Sequence, residues 1–205
     1  MIMDIDVIGL GLFSVAALVL LGSPGPAIAA LVAVGRNQGF ARGLGFYGGL
    51  QIGLAVAAGI SAAGLFSLLQ AFPIVTLAMT IVATLYLVYL SYKIATAPVG
   101  VEMQATEKTD FTSTPLGGFL LGITNPKAYV AFVSLMASYS IVRTNTFADS
   151  TLKWLLCVIV MIVVDIIWLW LGVVIQKANM KPKAERILNI AMGLTILATA
   201  VLAFV

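Results

Sequence analysis

The sequence has no histidine, a single cysteine and few charges. Without histidine there is no His-based acid–base pair, no Ser-His-Asp triad and no imidazole metal ligand. One cysteine, Cys157, excludes a disulfide framework within the chain. Set in an apolar run, it reads as a small packing residue. Charged residues make up 9% of the 205, eleven Lys or Arg and eight Asp or Glu, against about 25% in a soluble domain. A soluble fold of this size could not cover itself with so few. That excludes a cytosolic enzyme and a disordered chain. The net charge of +3 forms no interleaved basic patch, so no nucleic-acid partner is expected. No Gly-x-Ser-x-Gly elbow and no His-Glu-x-x-His helix is present. No enzyme activity, cofactor or metal is expected.

What the chain does have is apolar length: 61% of its residues are hydrophobic, and positions 7–35, 43–92 and 187–205 carry no charge. Runs of about 18 or more apolar residues read as membrane helices. The first span is expected over 7–34. Ala27-Ile28-Ala29 imitates a signal-peptidase site, but the residues before the run, with Asp4 and Asp6, lack the positive start of a signal peptide. The run is therefore read as a retained helix. The uncharged stretch 43–92 would reach about 75 Å as one helix, against a bilayer core of about 30 Å. It must be a hairpin, with its turn between 64 and 73. A polar loop is expected over 96–114. A fourth span follows over 115–142, a fifth over 154–176 and a sixth to the C-terminus.

The basic residues set an orientation. Arg36, Arg42, Lys93, Lys108, Lys177, Lys181, Lys183 and Arg186 fall in links 1–2, 3–4 and 5–6, whereas only Arg143 and Lys153 fall on the other side. The positive-inside rule puts those three links in the cytoplasm and both termini outside.

The fourth span echoes the first. Leu21-Gly22-Ser23-Pro24-Gly25-Pro26 and Ile123-Thr124-Asn125-Pro126-Lys127 each place a proline after a small polar residue, about half a chain apart. Three spans per half would insert the halves in opposite senses, the inverted-repeat plan of many secondary transporters. The expected fold is thus an all-α integral membrane protein. Its six transmembrane helices form two inverted three-helix repeats, 1–95 and 115–205, separated by the polar cytoplasmic loop 96–114. The first and fourth helices are broken at proline.

Proline leaves the carbonyl four residues earlier without its helical partner and pushes the preceding residue out of the α region. Pro24, Pro26 and Pro126 free the carbonyls of Leu20, Gly22 and Gly122. With the Ser23 hydroxyl and the Asn125 amide, these can hold an ammonium group. The helix starts near Ala27 and Ala128 turn a positive dipole end toward a carboxylate. Together they suit a zwitterion; a plain packing kink is the other reading. Ser23, Pro24, Gly25, Pro26, Asn125, Pro126 and Lys127 are the candidate substrate-binding residues.

Two ionisable residues lie deep in spans, Lys127 and Asp165, each costing about 2.5–3.5 kcal/mol on insertion scales. They are expected within reach of each other or of one substrate, as a functional pair or a structural one. Asp165 is the candidate proton carrier. Gln51, Tyr86, Tyr89 and Trp168 are candidates for lining a pathway. Gly45, Gly49 and Gly53 form a smooth stripe for close packing, within the chain or between two copies, which leaves a homodimer as an open expectation.

These residues together carry a resemblance. Ser23-Pro24-Gly25-Pro26, then Gly35-Arg36-Asn37-Gln38-Gly39 and Arg42-Gly43, Tyr86-Leu87 to Lys93, Asn125-Pro126-Lys127-Ala128, and Asp165 with Trp168 resemble the LysE/RhtB family of bacterial amino-acid exporters. The resemblance covers nearly the whole chain. It implies export of amino acids or close analogues across the bacterial inner membrane, by exchange with protons, with the two proline motifs and Asp165 functional. The 96–114 loop has no motif to match. A passive channel for small zwitterions and a non-transporting membrane subunit are the alternatives.

Overall fold

Proline opens five of the seven helices described, because its missing N–H costs nothing in a first turn and its fixed φ suits a helix start. The computed structural model describes residues 5–64, 73–97, 99, 113–178 and 181–202. Its helices are α1 (Val7–Gly22), α2 (Pro26–Ala62), α3 (Pro73–Ala95), α4 (Pro115–Thr124), α5 (Pro126–Ser138), α6 (Thr146–Lys177) and α7 (Pro182–Leu202). Among the described residues the only β pairing is an isolated bridge between Ile5 and Val142. The side chains of Asp6, Thr114, Asn125 and Asn145 cap α1, α4, α5 and α6 by accepting from a backbone N–H three residues on, which satisfies donors that a helix start otherwise leaves bare.

The expected breaks are present, and some boundaries move. Pro24 and Pro126 separate α1 from α2 and α4 from α5, and the second pair bends by 52°. Ala63 and Gly64 (φ 71°) end α2 at the expected turn. The basic link expected between the first two spans is not a loop. α2 runs through it, interrupted only at Gly39, whose φ of 75° and ψ of 175° no helix accepts. A left-handed φ is readily taken by glycine alone, so Gly39 divides α2 into legs 26–38 and 40–62. Arg36, expected as a loop charge, is therefore helical and 5% exposed, and donates to Asn189 at 2.7 Å. α6 begins two turns before the expected span, so Lys153 is also inside a helix. Most of the expected 96–114 loop lies outside the described residues.

α2 is the centre of the bundle, packed along α6 and α4, while α3 and α7 pair beside it. Glycine makes these contacts close. A Cβ on Gly49 or Gly53 would run into the Pro115 or Phe119 carbonyl, and one on Gly118 or Gly122 into the Phe46 or Leu50 carbonyl. Gly35 and Gly172 play the same part between the first leg of α2 and α6, against Leu169 and Val32. The Gly45–Gly49–Gly53 stripe is thus covered by α4 of the same chain.

The outside of the bundle carries large apolar side chains, among them Val7, Ile74, Val130, Phe147 and Trp170, while Asn125, Lys153, Asp165 and Asn189 are buried. That distribution suits a lipid surround. Among the described residues, α2 and α6 are each long and apolar enough to cross a bilayer, and the bent α4–α5 pair is a third such unit.

A strap closes one end. The Asp6 N–H donates to the Ile141 carbonyl at 2.8 Å, and the Asp6 carboxylate takes Arg143 at 2.5 Å. The Gly9 N–H and the Arg143 guanidinium hold the Asp6 carboxyl below the usual carboxylate range. Beneath it, Lys153 pairs with Asp149 at 2.6 Å and donates to the Met136 and Tyr139 carbonyls. Asp149 accepts from the Ile141 and Val142 N–H groups at 2.6 and 2.8 Å.

Candidate functional site

The two broken helices meet. The α1–α2 break consists of Ser23, Pro24 and Gly25, all extended or bent backbone. Its side chains partly repair it, since the Ser23 hydroxyl donates to the Leu20 carbonyl that Pro24 deprives of a partner, at 2.9 Å. The α4–α5 break is a single residue. Asn125 turns its N–H to the Gly122 carbonyl at 3.5 Å and its side-chain oxygen to the Ala128 N–H at 3.4 Å. The Asn125 side chain therefore serves as a helix cap.

Lys127 joins the breaks. It stands in the first turn of α5 and reaches back to the first break, where its ammonium donates to the Ser23 carbonyl and, at 3.1 Å, to the Pro24 carbonyl. The acceptors are thus the carbonyls inside the break rather than those the prolines free one turn earlier. Gly25 makes room for the lysine: a Cβ there would lie 2.7 Å from Lys127 Cδ. Its φ of −173° is ordinary extended backbone, so the need for glycine is one of space.

Asp165, on α6, is 3% exposed. Its Oδ2 accepts from Gln51 Nε2, on the second leg of α2, at 2.7 Å. Gln51 Oε1 is buried without a partner. No direct ion pair joins Lys127 to Asp165, but both line one cleft. Ser23, Gly25, Asn125, Lys127 and Asp165 line this cleft together with the apolar Leu20, Leu21, Ala27, Ile28, Leu54, Ala128, Ala131, Phe132 and Met161. An apolar lining with a few convergent polar groups is the usual make-up of a small-molecule site.

Most of the expected site residues are gathered here. Pro24 contributes its carbonyl, Pro26 and Pro126 begin the helices that leave the breaks, and Gln51 holds Asp165. Trp168 is half-buried against the core and is not among the lining residues. Tyr89 is 44% exposed, with the Lys93 ammonium 5.7 Å from its ring centre. The side chain of Tyr86 lies outside the described residues. The apolar half of the lining, Leu54, Phe132 and Met161 above all, was not singled out in the sequence, where it is lost among many similar residues. The buried Lys153–Asp149 pair was also missed. Its signal is the four-residue spacing of opposite charges at the edge of an apolar run.

The site can hold a cation against backbone carbonyls and a second charge on a buried carboxylate. The LysE type translocator family model matches residues 18–205. No curated protein and no solved structure matches the chain. The match covers most of the sequence, and the chain belongs to the LysE type translocator family: it is a membrane transporter rather than an enzyme.

Proposed function

With membership of the LysE type translocator family as the premise, we propose that the chain exports amino acids or close analogues from the bacterial cytoplasm across the inner membrane, in exchange for protons. The observation that carries this reading is the meeting of both proline-broken helices in one cleft with Lys127 and Asp165. Interrupted helices at mid-depth are where secondary transporters bind polar substrates, because the freed backbone groups replace water. The break carbonyls suit an ammonium. The α5 start and the Lys127 ammonium suit a carboxylate. Asp165 is the acid through which protons would be exchanged, and Gln51 holds its carboxylate in place.

In this reading α1 with the first leg of α2 is span one, the second leg is span two, α3 is span three, α4–α5 is span four, and α6 and α7 are spans five and six. The halves are inverted repeats, the three basic links are cytoplasmic and the termini periplasmic. The substrate is a small zwitterion.

The test is efflux from vesicles loaded with a panel of labelled amino acids, with and without a proton gradient. Export that rises with the gradient is expected. Flux that ignores a collapsed gradient would make the protein a passive channel, and no flux at all would make it a non-transporting subunit. Asp165→Asn should reduce gradient-driven efflux to that of empty vesicles. Retention of gradient-driven efflux would remove Asp165 from the proton path.

A further inference from the structure

The carbonyl cradle that suits a substrate ammonium is already filled, and by the protein itself. We propose that Lys127 is a tethered stand-in for the substrate ammonium: in the unloaded carrier its Nζ occupies the α1–α2 break, and substrate binds by displacing it. The proposal rests on the transporter reading and deepens it.

Three features of Lys127 make it displaceable. Its ammonium is held by two neutral carbonyls, Ser23 and Pro24, and by no carboxylate. It stands in the first turn of α5, where the helix dipole opposes a positive charge. Its stem crosses Gly25, where one added methyl group would collide with it at 2.7 Å. A substrate ammonium arriving in the cradle meets the same two carbonyls without being tied to the start of α5 or carrying a stem across Gly25. Once released, the lysine head has a destination across the same cleft, the Asp165 carboxylate. The cradle carbonyls belong to the first half of the chain and Lys127 to the second, so the lysine in the cradle joins the halves.

The consequence concerns the unloaded return. An exporter coupled to protons must reorient without substrate, and a pair of carbonyls left without a donor as the cleft closes would oppose that step. Lys127 fills them. Its loss should therefore impair net efflux, which needs the unloaded return, more than exchange of internal for external substrate, which does not.

The experiment has two arms on the full chain. In lipid nanodiscs, methylammonium binding is measured by calorimetry for wild type, Lys127→Met and Gly25→Ala. A tether that fills the cradle nine-tenths of the time weakens a competitor about tenfold, so both variants should bind methylammonium about tenfold more tightly than wild type. Gly25→Ala keeps the lysine charge and moves its stem, and it decides this arm alone if Lys127→Met does not fold. No gain in either variant overturns the proposal. In vesicles, Lys127→Met should lower net amino-acid efflux about tenfold more than it lowers exchange. Equal loss of both would make Lys127 an ordinary substrate contact and overturn the tether. If wild type moves no amino acid, the exporter reading fails by itself, and the methylammonium arm still judges the lysine.

Discussion

Two lysines in this protein make the same contacts and differ in one neighbour. Lys127 and Lys153 each donate to two backbone carbonyls where a helix ends or breaks, Lys127 at Ser23 and Pro24, Lys153 at Met136 and Tyr139. Lys153 also has Asp149, 2.6 Å away on the previous turn of α6, and Asp149 is in turn held by two N–H groups of the strap. Lys127 has no acid in contact and opens onto a cleft. A buried cation with a bonded carboxylate is a finished structural unit. One without it is a charge waiting for a partner, and that difference separates a staple from a site.

Substitution should pull the two apart. Lys153→Met leaves Asp149 buried without its cation, a loss of about 3–5 kcal/mol; Lys127→Met removes two charge-assisted hydrogen bonds but also a half-buried charge that has no counter-ion, a net loss of about 1–2 kcal/mol. Thermal unfolding in the same lipid should therefore show the larger fall for Lys153→Met. The reverse order would erase the distinction. Next in size is the cap beneath Lys127. Asn125→Ala should cost about 1 kcal/mol of stability, read by the same unfolding curves, because the Ala128 N–H loses its acceptor.

The smallest effect belongs to the exposed pair that closes the strap, Asp6 with Arg143. The folded Asp6 carboxyl titrates below its ordinary value of 3.8. Its contribution is therefore present above that value and is lost as pH falls through the lower folded one. The melting temperature of Asp6→Asn should lie slightly below wild type at about pH 6, and the gap should close as pH falls below 3.8. A gap that widens in acid would show that Asp6 holds the strap in its protonated form.

Much of the fold can be read from local signals. The breaks at 23–25 and 125, the turn after Ala62 and the starts at Pro73 and Pro115 follow from proline and glycine acting on their own neighbours. Charge is a poor sign of water where a partner waits inside the bundle. Arg36 and Lys153 looked like loop residues, yet both are buried, because Asn189 and Asp149 satisfy them. Of the candidate site, the proline motifs, Lys127, Asp165 and Gln51 were legible by their rarity in apolar runs. Tyr89 and Trp168 were not separable from surface or packing aromatics, since residue type does not say which face of a helix a side chain takes.

The apolar runs and prolines by themselves determined that this chain belongs in a membrane and where its helices break, since both act over a few residues. Only the tertiary structure decided what the breaks are for. The Lys127 ammonium meets carbonyls about a hundred residues earlier, and Asp165 meets an amide from another helix. Such meetings depend on how glycine lets α2 lie against α4 and α6, and backbone contact between distant segments is not encoded in any one of them.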